Sequence, residues 1–324
     1  MQYLLLKPNR YAILDLGTNT FELMIAQVED LGMKTVYRET VSVKIGKEGI
    51  SEGIINEEAQ KRIFQAFTRF SQTIQAYQVP ADRVLAIATS AFRNAKNGYQ
   101  IATYIYQNFG IKIEIIKGNQ EAEYIYSGAR QAVDIGEKTS LIVDIGGGSV
   151  EFILANEKKI FWKQSFEIGA QRLMDKFMKN DPIKQLDLQR LLLYLEVELR
   201  DLSAQVFSHT PQLLIGCAGA FNTLANMAHL LETQNEPILD EQGDMIPRNY
   251  VVELDYFYHL YQNIVSKNMH ERSLLAGMSP IRIDSMVVTV TLIKFIVEKI
   301  EAECIYASSY ALKEGVFFSR ILAK

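Results

Sequence analysis

Apolar positions along the chain follow two spacings, short continuous runs and helical stripes, and the two kinds of segment succeed each other in a recurring order. In the first part, Tyr11 to Leu14 and Lys34 to Lys44 read as strands. They lead into a helix over Glu57 to Tyr77, where Ile63, Phe64, Phe67, Phe70 and Ile74 recur at helical spacing. Strand Val84 to Ala88, a helix near Tyr99 to Phe109, strand Ile111 to Ile116 and a helix over Gln120 to Ala132 come next. The second part runs through strands near Leu141, Val150 and Lys159, helices near Ala170 and over Leu186 to Gln205, strand Leu213 to Ile215 and a helix over Ala220 to Leu231. Helices over Leu254 to Ser266 and Ser285 to Ile300, strand Ile305 to Ala307 and a last helix from Ala311 complete it. Strands and helices in this alternation predict an α/β fold with a largely parallel sheet.

The same pattern occurs twice at the level of single residues. Asp15 to Ala26 reads DLGTNTFELMIA, and Asp144 to Ala155 reads DIGGGSVEFILA, 129 positions later. At that same offset Ala91-Phe92 matches Ala220-Phe221, each just after a strand-like run. One offset shared by two separate motifs argues for an internal duplication. Each glycine-bearing copy reads as strand, tight turn, strand. An acidic residue ends a buried strand, and small or hydroxyl residues follow. Such a turn offers N–H groups and hydroxyls to an anion while the carboxylate stands ready for a divalent cation, which outlines a phosphate and magnesium site.

Composition narrows the classes. With 324 residues, 48% apolar and 22% charged, the chain is an ordinary globular protein of about two domains at ~150 residues each. No apolar run approaches the ~20 residues of a membrane span, and MQYLLLKPNR lacks the pattern of a signal peptide, so a cytoplasmic protein with no membrane partner is expected. The net charge of −4 speaks against nucleic-acid binding. Cys217 and Cys304 have no partner at zinc or redox spacing and read as reduced, core-like thiols. The segment Thr233 to Pro247 reads as a surface loop. Leu188, Leu191, Leu192, Leu195 and Leu199 give helix Leu186 to Gln205 a stripe for core packing or for a homodimer contact.

Taken in order, DLGTNT at Asp15, ATSAFRNAKN at Ala88, GNQEAEYIYSG at Gly118, DIGGGSVE at Asp144, IGAQRL at Ile168, GCAGAFNTLA at Gly216, SPIRID at Ser279 and ASSYALKEGVFF at Ala307 resemble the exopolyphosphatase and guanosine pentaphosphate phosphohydrolase family. The resemblance covers nearly the whole chain. It implies two duplicated actin-like (ribonuclease H-like) domains with an interdomain cleft. Residues 1–128 would form the first domain and 129–311 the second, with a final helix over 312–322 packing back on the first.

The resemblance also implies the chemistry. Glu121 corresponds to the general base that aligns and deprotonates a water for attack on a terminal phosphorus. Arg93 would grip a phosphate oxygen with paired hydrogen bonds. Thr18, Asn19, Thr20, Gly146, Gly147, Gly148 and Ser149 would hold successive phosphates. Asp144 and Glu151 would hold Mg²⁺, with Mn²⁺ as the substitute and Asp15 as a further candidate ligand. Glu22, the repeat partner of Glu151, reads as structural. The expected activity is release of terminal orthophosphate from inorganic polyphosphate. The alternatives are guanosine pentaphosphate hydrolysis, a non-catalytic guanosine tetraphosphate sensor and an ATP-dependent phosphotransferase. Four places depart from the family pattern: Gln120, Glu123, the Gly216-Cys-Ala-Gly-Ala stretch and Ile281.

Overall fold

The computed structural model describes residues 9–29, 32–46, 53–238 and 248–323; the start Met1 to Pro8 and residues 239–247 of the expected surface loop lie outside them. The chain divides into two compact units. One runs through Ile116 and resumes at Val316, and the other is Lys117–Gly315.

In the first unit β1 (Arg10–Leu16), β2 (Thr20–Glu29) and β3 (Gly32–Ser42) form an antiparallel meander. Helix α1 (Glu57–Ala76) follows, its free N–H groups met in part by the Asn56 side chain, which accepts from Ala59 N. The stripe expected of it is the one it buries, with Ile63, Phe67, Phe70 and Ile74 inside and Phe64 half-covered. Then come β4 (Val84–Ala88), α2 (Ser90–Asn94), α3 (Gly98–Phe109) and β5 (Ile113–Ile115), whose strands add parallel to β1 on its other side. The strand order is β3-β2-β1-β4-β5.

The second unit opens with α4 (Gly118–Ala132), then β6 (Ser140–Ile145), β7 (Val150–Ala155), β8 (Ile160–Phe166), α5 (Ala170–Phe177), α6 (Gln185–Glu198) and α7 (Arg200–His209). It continues with β9 (Leu213–Cys217), α8 (Ala218–Thr233), β10 (Asn249–Glu253), α9 (Leu254–Ser266), α10 (Met269–Ser273), α11 (Met286–Ile300), β11 (Cys304–Ser308) and the start of α12 (Leu312–Phe317). Its strand order, β8-β7-β6-β9-β11, repeats that of the first unit, with β10 added as an antiparallel edge. The duplication legible in two motifs therefore extends to the topology of both sheets.

Three expectations need correction. The sheets are mixed rather than largely parallel, because each glycine-bearing turn is too short for a crossover and must send the next strand back antiparallel. The expected helix Leu186 to Gln205 is two helices broken at Leu199, where φ −98° and ψ 23° leave the helical basin. Of its leucines, Leu188, Leu191, Leu195 and Leu199 are core residues, so the stripe serves the interior. Finally, β10, α2 and α10 were not foreseen; each is five residues long, too short to show a period. Among the described residues no helix is long and apolar enough to cross a membrane.

Helix α4 lies against β6, β7 and β8 and belongs to the second unit. Two glycines let it approach the end of the chain at backbone distance. A Cβ on Gly128 would lie 2.1 Å from Ala311 O, and one on Gly315 would lie 1.6 Å from Tyr124 O. These pairings run the start of α12 antiparallel to α4. Beyond Gly315 the chain rejoins the first unit, where Phe317 stands edge-on to Tyr11 and Arg320 pairs with Glu114 at 2.7 Å. Replacing Gly128 by Ala is expected to cost about 1–3 kcal/mol, because backbone on both sides leaves no room for a methyl. A lowered urea midpoint with an unchanged slope is the measurement; an unmoved midpoint would mean that the two segments separate freely.

Candidate functional site

Both glycine-bearing turns are built the same way. A trans peptide sets its carbonyl and its N–H on opposite sides, so fixing one aims the other. In the second unit, Gly146 O accepts from Ala170 N at 2.9 Å, Gly147 O from Gln171 N at 2.9 Å, and Gly148 O from Gly169 N at 3.2 Å and Arg172 Nε at 2.9 Å. The carbonyls of three successive peptides are thus held by the start of α5. The N–H groups of Gly147, Gly148 and Ser149 point the other way, and among the described residues none meets a main-chain acceptor. Only a glycine permits this approach: a Cβ on Gly169 would stand 2.4 Å from Gly148 C.

In the first unit the cap comes from the segment after β3. Asn19 O accepts from Val43 N and Lys44 N, both at 2.9 Å, and Thr18 O from Ile45 N at 2.8 Å. Arg62 on α1 holds that segment in turn, donating from Nε to Val43 O at 2.7 Å and from Nη2 to Lys44 O at 3.1 Å. Thr18 is buried, and the Asn19 side-chain oxygen is enclosed with no hydrogen-bond partner. Two unrelated pieces of backbone therefore do one job, directing carbonyls inward and amides outward.

The carboxylates are set by strand register. Asp144 pairs directly with Glu151 across β6 and β7, and Asp15 pairs with Glu22 across β1 and β2. Directly opposed residues of an antiparallel pair have Cβ atoms roughly 4.5–5.5 Å apart on one face. On the next strand, Ser165 is the register partner of Glu151 and donates Oγ–H to it at 2.6 Å; Thr40 is the partner of Glu22. Two acidic side chains beside outward amides fit Mg²⁺, which takes one or two carboxylates and completes its shell with water and phosphate oxygens. Among the described residues no group of three or more His, Cys, Asp or Glu could hold a metal ion. Asp15 belongs to the first unit, and Asp144 and Glu151 to the second.

Glu121 lies in the first turn of α4 and is only 7% exposed, so its carboxylate is an interior group rather than a solvated helix-end residue. Arg93, on α2, donates from Nη1 to Ile116 O at 3.1 Å, the carbonyl next to the N-cap residue Lys117 of α4. Its helix is tied to the first turn through Thr89 N, which donates to Leu16 O at 3.3 Å.

Further groups gather at the ends of the parallel strands in the second unit. Cys217 is the register partner of both Asp144 and Ser308. Burial pushes its thiol well up; the negative charges of Asp144 and Glu314 add to this, and a hydrogen bond shared with Ser308 opposes it. The thiol is therefore inert and acts as a small apolar neighbour of Asp144. Just beyond it Ala218 has φ 63°, a left-handed position that costs a side-chain-bearing residue on the order of 1 kcal/mol where β9 turns into α8. Gly219 receives the Arg282 guanidinium, which brings two sequence motifs into contact. As for the departures, Gln120 donates to Tyr124 Oη at 3.3 Å, Glu123 pairs with Lys163 at 2.8 Å, and Ile281 is exposed.

Sequence reasoning gave no role to Ser165, Arg62, Gly169 or Arg172. Gly169 and Arg172 lie in the IGAQRL motif, whose glycine was the available signal; Ser165 and Arg62 carry none, because their roles exist only through register and packing.

Residues 24–324 match the model of the Ppx/GppA phosphatase family. Among curated proteins, the chain is similar to a bifunctional 3-dehydroquinate synthase/phosphatase of Fusobacterium nucleatum, 30% identical over 68% of this chain and 34% of that protein. It is also similar to a guanosine-5'-triphosphate,3'-diphosphate pyrophosphatase of Pseudoalteromonas translucida, 23% identical over 98% of this chain and 60% of that one. The chain thus spans about a third and three fifths of the length of these two relatives. Among solved structures, the exopolyphosphatase of Cytophaga hutchinsonii superposes with a TM-score of 0.91 at 36% identity, over 97% of this chain and 98% of that one.

The carboxylate pair makes a prediction independent of activity. Millimolar Mg²⁺ is expected to raise the thermal midpoint of the wild type by mass action, and to do so far less in Asp144→Asn or Glu151→Gln. Equal shifts in all three proteins would remove this pair as the metal site.

Proposed function

Because the chain belongs to the Ppx/GppA phosphatase family, we propose that it is a phosphohydrolase that removes terminal orthophosphate from inorganic polyphosphate. What carries this reading is the pair of turns with capped carbonyls and outward amides, a device suited to successive phosphate groups that carry negative charge and accept hydrogen bonds.

In this reading Gly147, Gly148 and Ser149, and likewise Thr18, Asn19 and Thr20, are phosphate-binding residues that act through main-chain N–H groups and hydroxyls. Glu121 accepts a proton from the attacking water. Glu121 lies in the first turn of α4 and is largely shielded from bulk water, so a water that reaches it can be held in one orientation. Arg93 donates to an oxygen of the phosphoryl group under attack, stabilising charge as the bond to the leaving phosphate stretches. A divalent cation, Mg²⁺ or Mn²⁺, held by Asp144 and Glu151, would supply positive charge to the phosphate oxygens. Ser165 keeps the Glu151 carboxylate oriented by its hydrogen bond.

Guanosine pentaphosphate is the second substrate we consider, on the strength of the activity named for the Pseudoalteromonas relative. Its terminal phosphoanhydride presents the same oxygens to the same groups.

The test is a panel of phosphate release from polyphosphates of several lengths and from guanosine pentaphosphate, with and without Mg²⁺. ADP formation from ATP and sugars is scored in parallel. Metal-dependent release from polyphosphate is expected; ADP formation in its place would move the reading to a phosphotransferase. Glu121→Gln is expected to keep polyphosphate binding and to lose a factor of ~10² to 10⁴ in kcat, the usual contribution of a general base. Turnover equal to the wild type would withdraw Glu121 from that role.

A further inference from the structure

We propose that Arg172 is a positioning residue for the glycine turn, holding the peptide between Gly148 and Ser149 so that the Ser149 N–H faces the phosphate, with Glu167 as the group that orients the arginine. The inference rests on the phosphate-binding reading of that turn and adds a residue to it.

The geometry singles this peptide out. The carbonyls of Gly146 and Gly147 each take a 2.9 Å bond from the main chain of α5. Gly148 O receives a longer one, 3.2 Å from Gly169 N, and the short bond at this position is the 2.9 Å contact from Arg172 Nε. Of the three peptides that aim an amide outward, one thus depends on a side chain. Glycine on the carbonyl side lets that peptide rotate more readily than one between two residues that carry side chains. If it turned over, its carbonyl would take the place of its amide and present an oxygen dipole to an anion.

Arg172 is itself fixed from the other side. Its Nη2 donates to Glu167 Oε2 at 2.9 Å, with the arginine side chain 25% and the glutamate 43% exposed. The planar guanidinium is held through two of its nitrogens, Nε and Nη2, at a fixed mutual geometry that the single ammonium of a lysine cannot reproduce. The charge also acts directly: a cation within hydrogen-bonding distance of the turn raises the local positive potential, and it is screened only in part at this degree of cover.

The experiment compares wild type with Arg172→Gln, Arg172→Lys and Glu167→Gln in three measurements. In tripolyphosphate binding by calorimetry in EDTA, Arg172→Gln is expected to weaken affinity roughly ten- to a hundredfold, the range of one charge-assisted hydrogen bond. In turnover of tripolyphosphate with Mg²⁺, KM is expected to rise by a similar factor while kcat stays within about threefold, the signature of lost ground-state binding. In hydrogen exchange, the amides of Gly169, Ala170 and Gln171 are expected to lose protection in Arg172→Gln while the two sheets keep theirs.

Arg172→Lys should recover part of the affinity through its charge but not the exchange protection, and Glu167→Gln should loosen exchange at the turn without losing the cation. Unchanged affinity and unchanged exchange in Arg172→Gln would overturn the proposal, as would a fall in kcat alone. If Arg172→Gln does not fold, Arg172→Lys and Glu167→Gln decide the matter by the same exchange pattern. A wild type that neither binds tripolyphosphate nor releases phosphate would sink the functional reading, and exchange at Gly169 to Gln171 would still decide whether Arg172 holds the peptide.

Discussion

A peptide unit cannot offer its N–H to an anion while its carbonyl points the same way, and everything distinctive in this protein follows from meeting that constraint twice. Each turn needs donors behind it to hold the carbonyls. The first unit takes them from Val43 to Ile45, which Arg62 braces from α1, and the second takes them from Gly169 to Gln171 and Arg172. The solutions differ in material and agree in position, since each cap lies just after the third strand of its meander. The repeated hairpin supplies the place, and the two copies fill it with different residues.

The acidic residues obey a second rule, set by pairing. Register places Asp15 opposite Glu22 and Asp144 opposite Glu151, and it continues the row to Thr40 or Ser165 on the third strand. A slip by one residue would turn every member of a row to the other face. The glycine turn fixes that register, so the same few residues determine where amides point and which carboxylates face each other. In the proposed reading, the phosphate-facing amides and the candidate metal carboxylates thus share one hairpin.

Close helix packing serves the same end at larger scale. Gly128 and Gly315 allow α4 and the start of α12 to meet at backbone distance, and α4 carries Glu121 in its first turn. Any side chain at those glycines would lift the helix and move the carboxylate with it. Glu121 is buried at the start of a helix that packs against β6, β7 and β8. In isolation its position near a helix start would describe a solvated residue.

Much of this was legible along the chain. The duplicated DLGTNT and DIGGGS segments gave the turns, the apolar runs gave most strands, and α9 and β4 fall on the residues their patterns predict. These succeed because they are local: a turn's glycines, a strand's period and a helix's stripe are written in neighbouring residues. What the chain could not reveal is whatever depends on partners distant in sequence. The mixed direction of the sheets, the break at Leu199, the cap that Gly169 and Arg172 place on the turn, the Ser165 hydrogen bond and the burial of Glu121 all arise when remote segments are brought to contact distance. Sequence named the turn residues expected to face phosphate, and tertiary structure alone decided which way their dipoles point, because orientation is fixed by the donor behind each carbonyl and not by the residue that bears it.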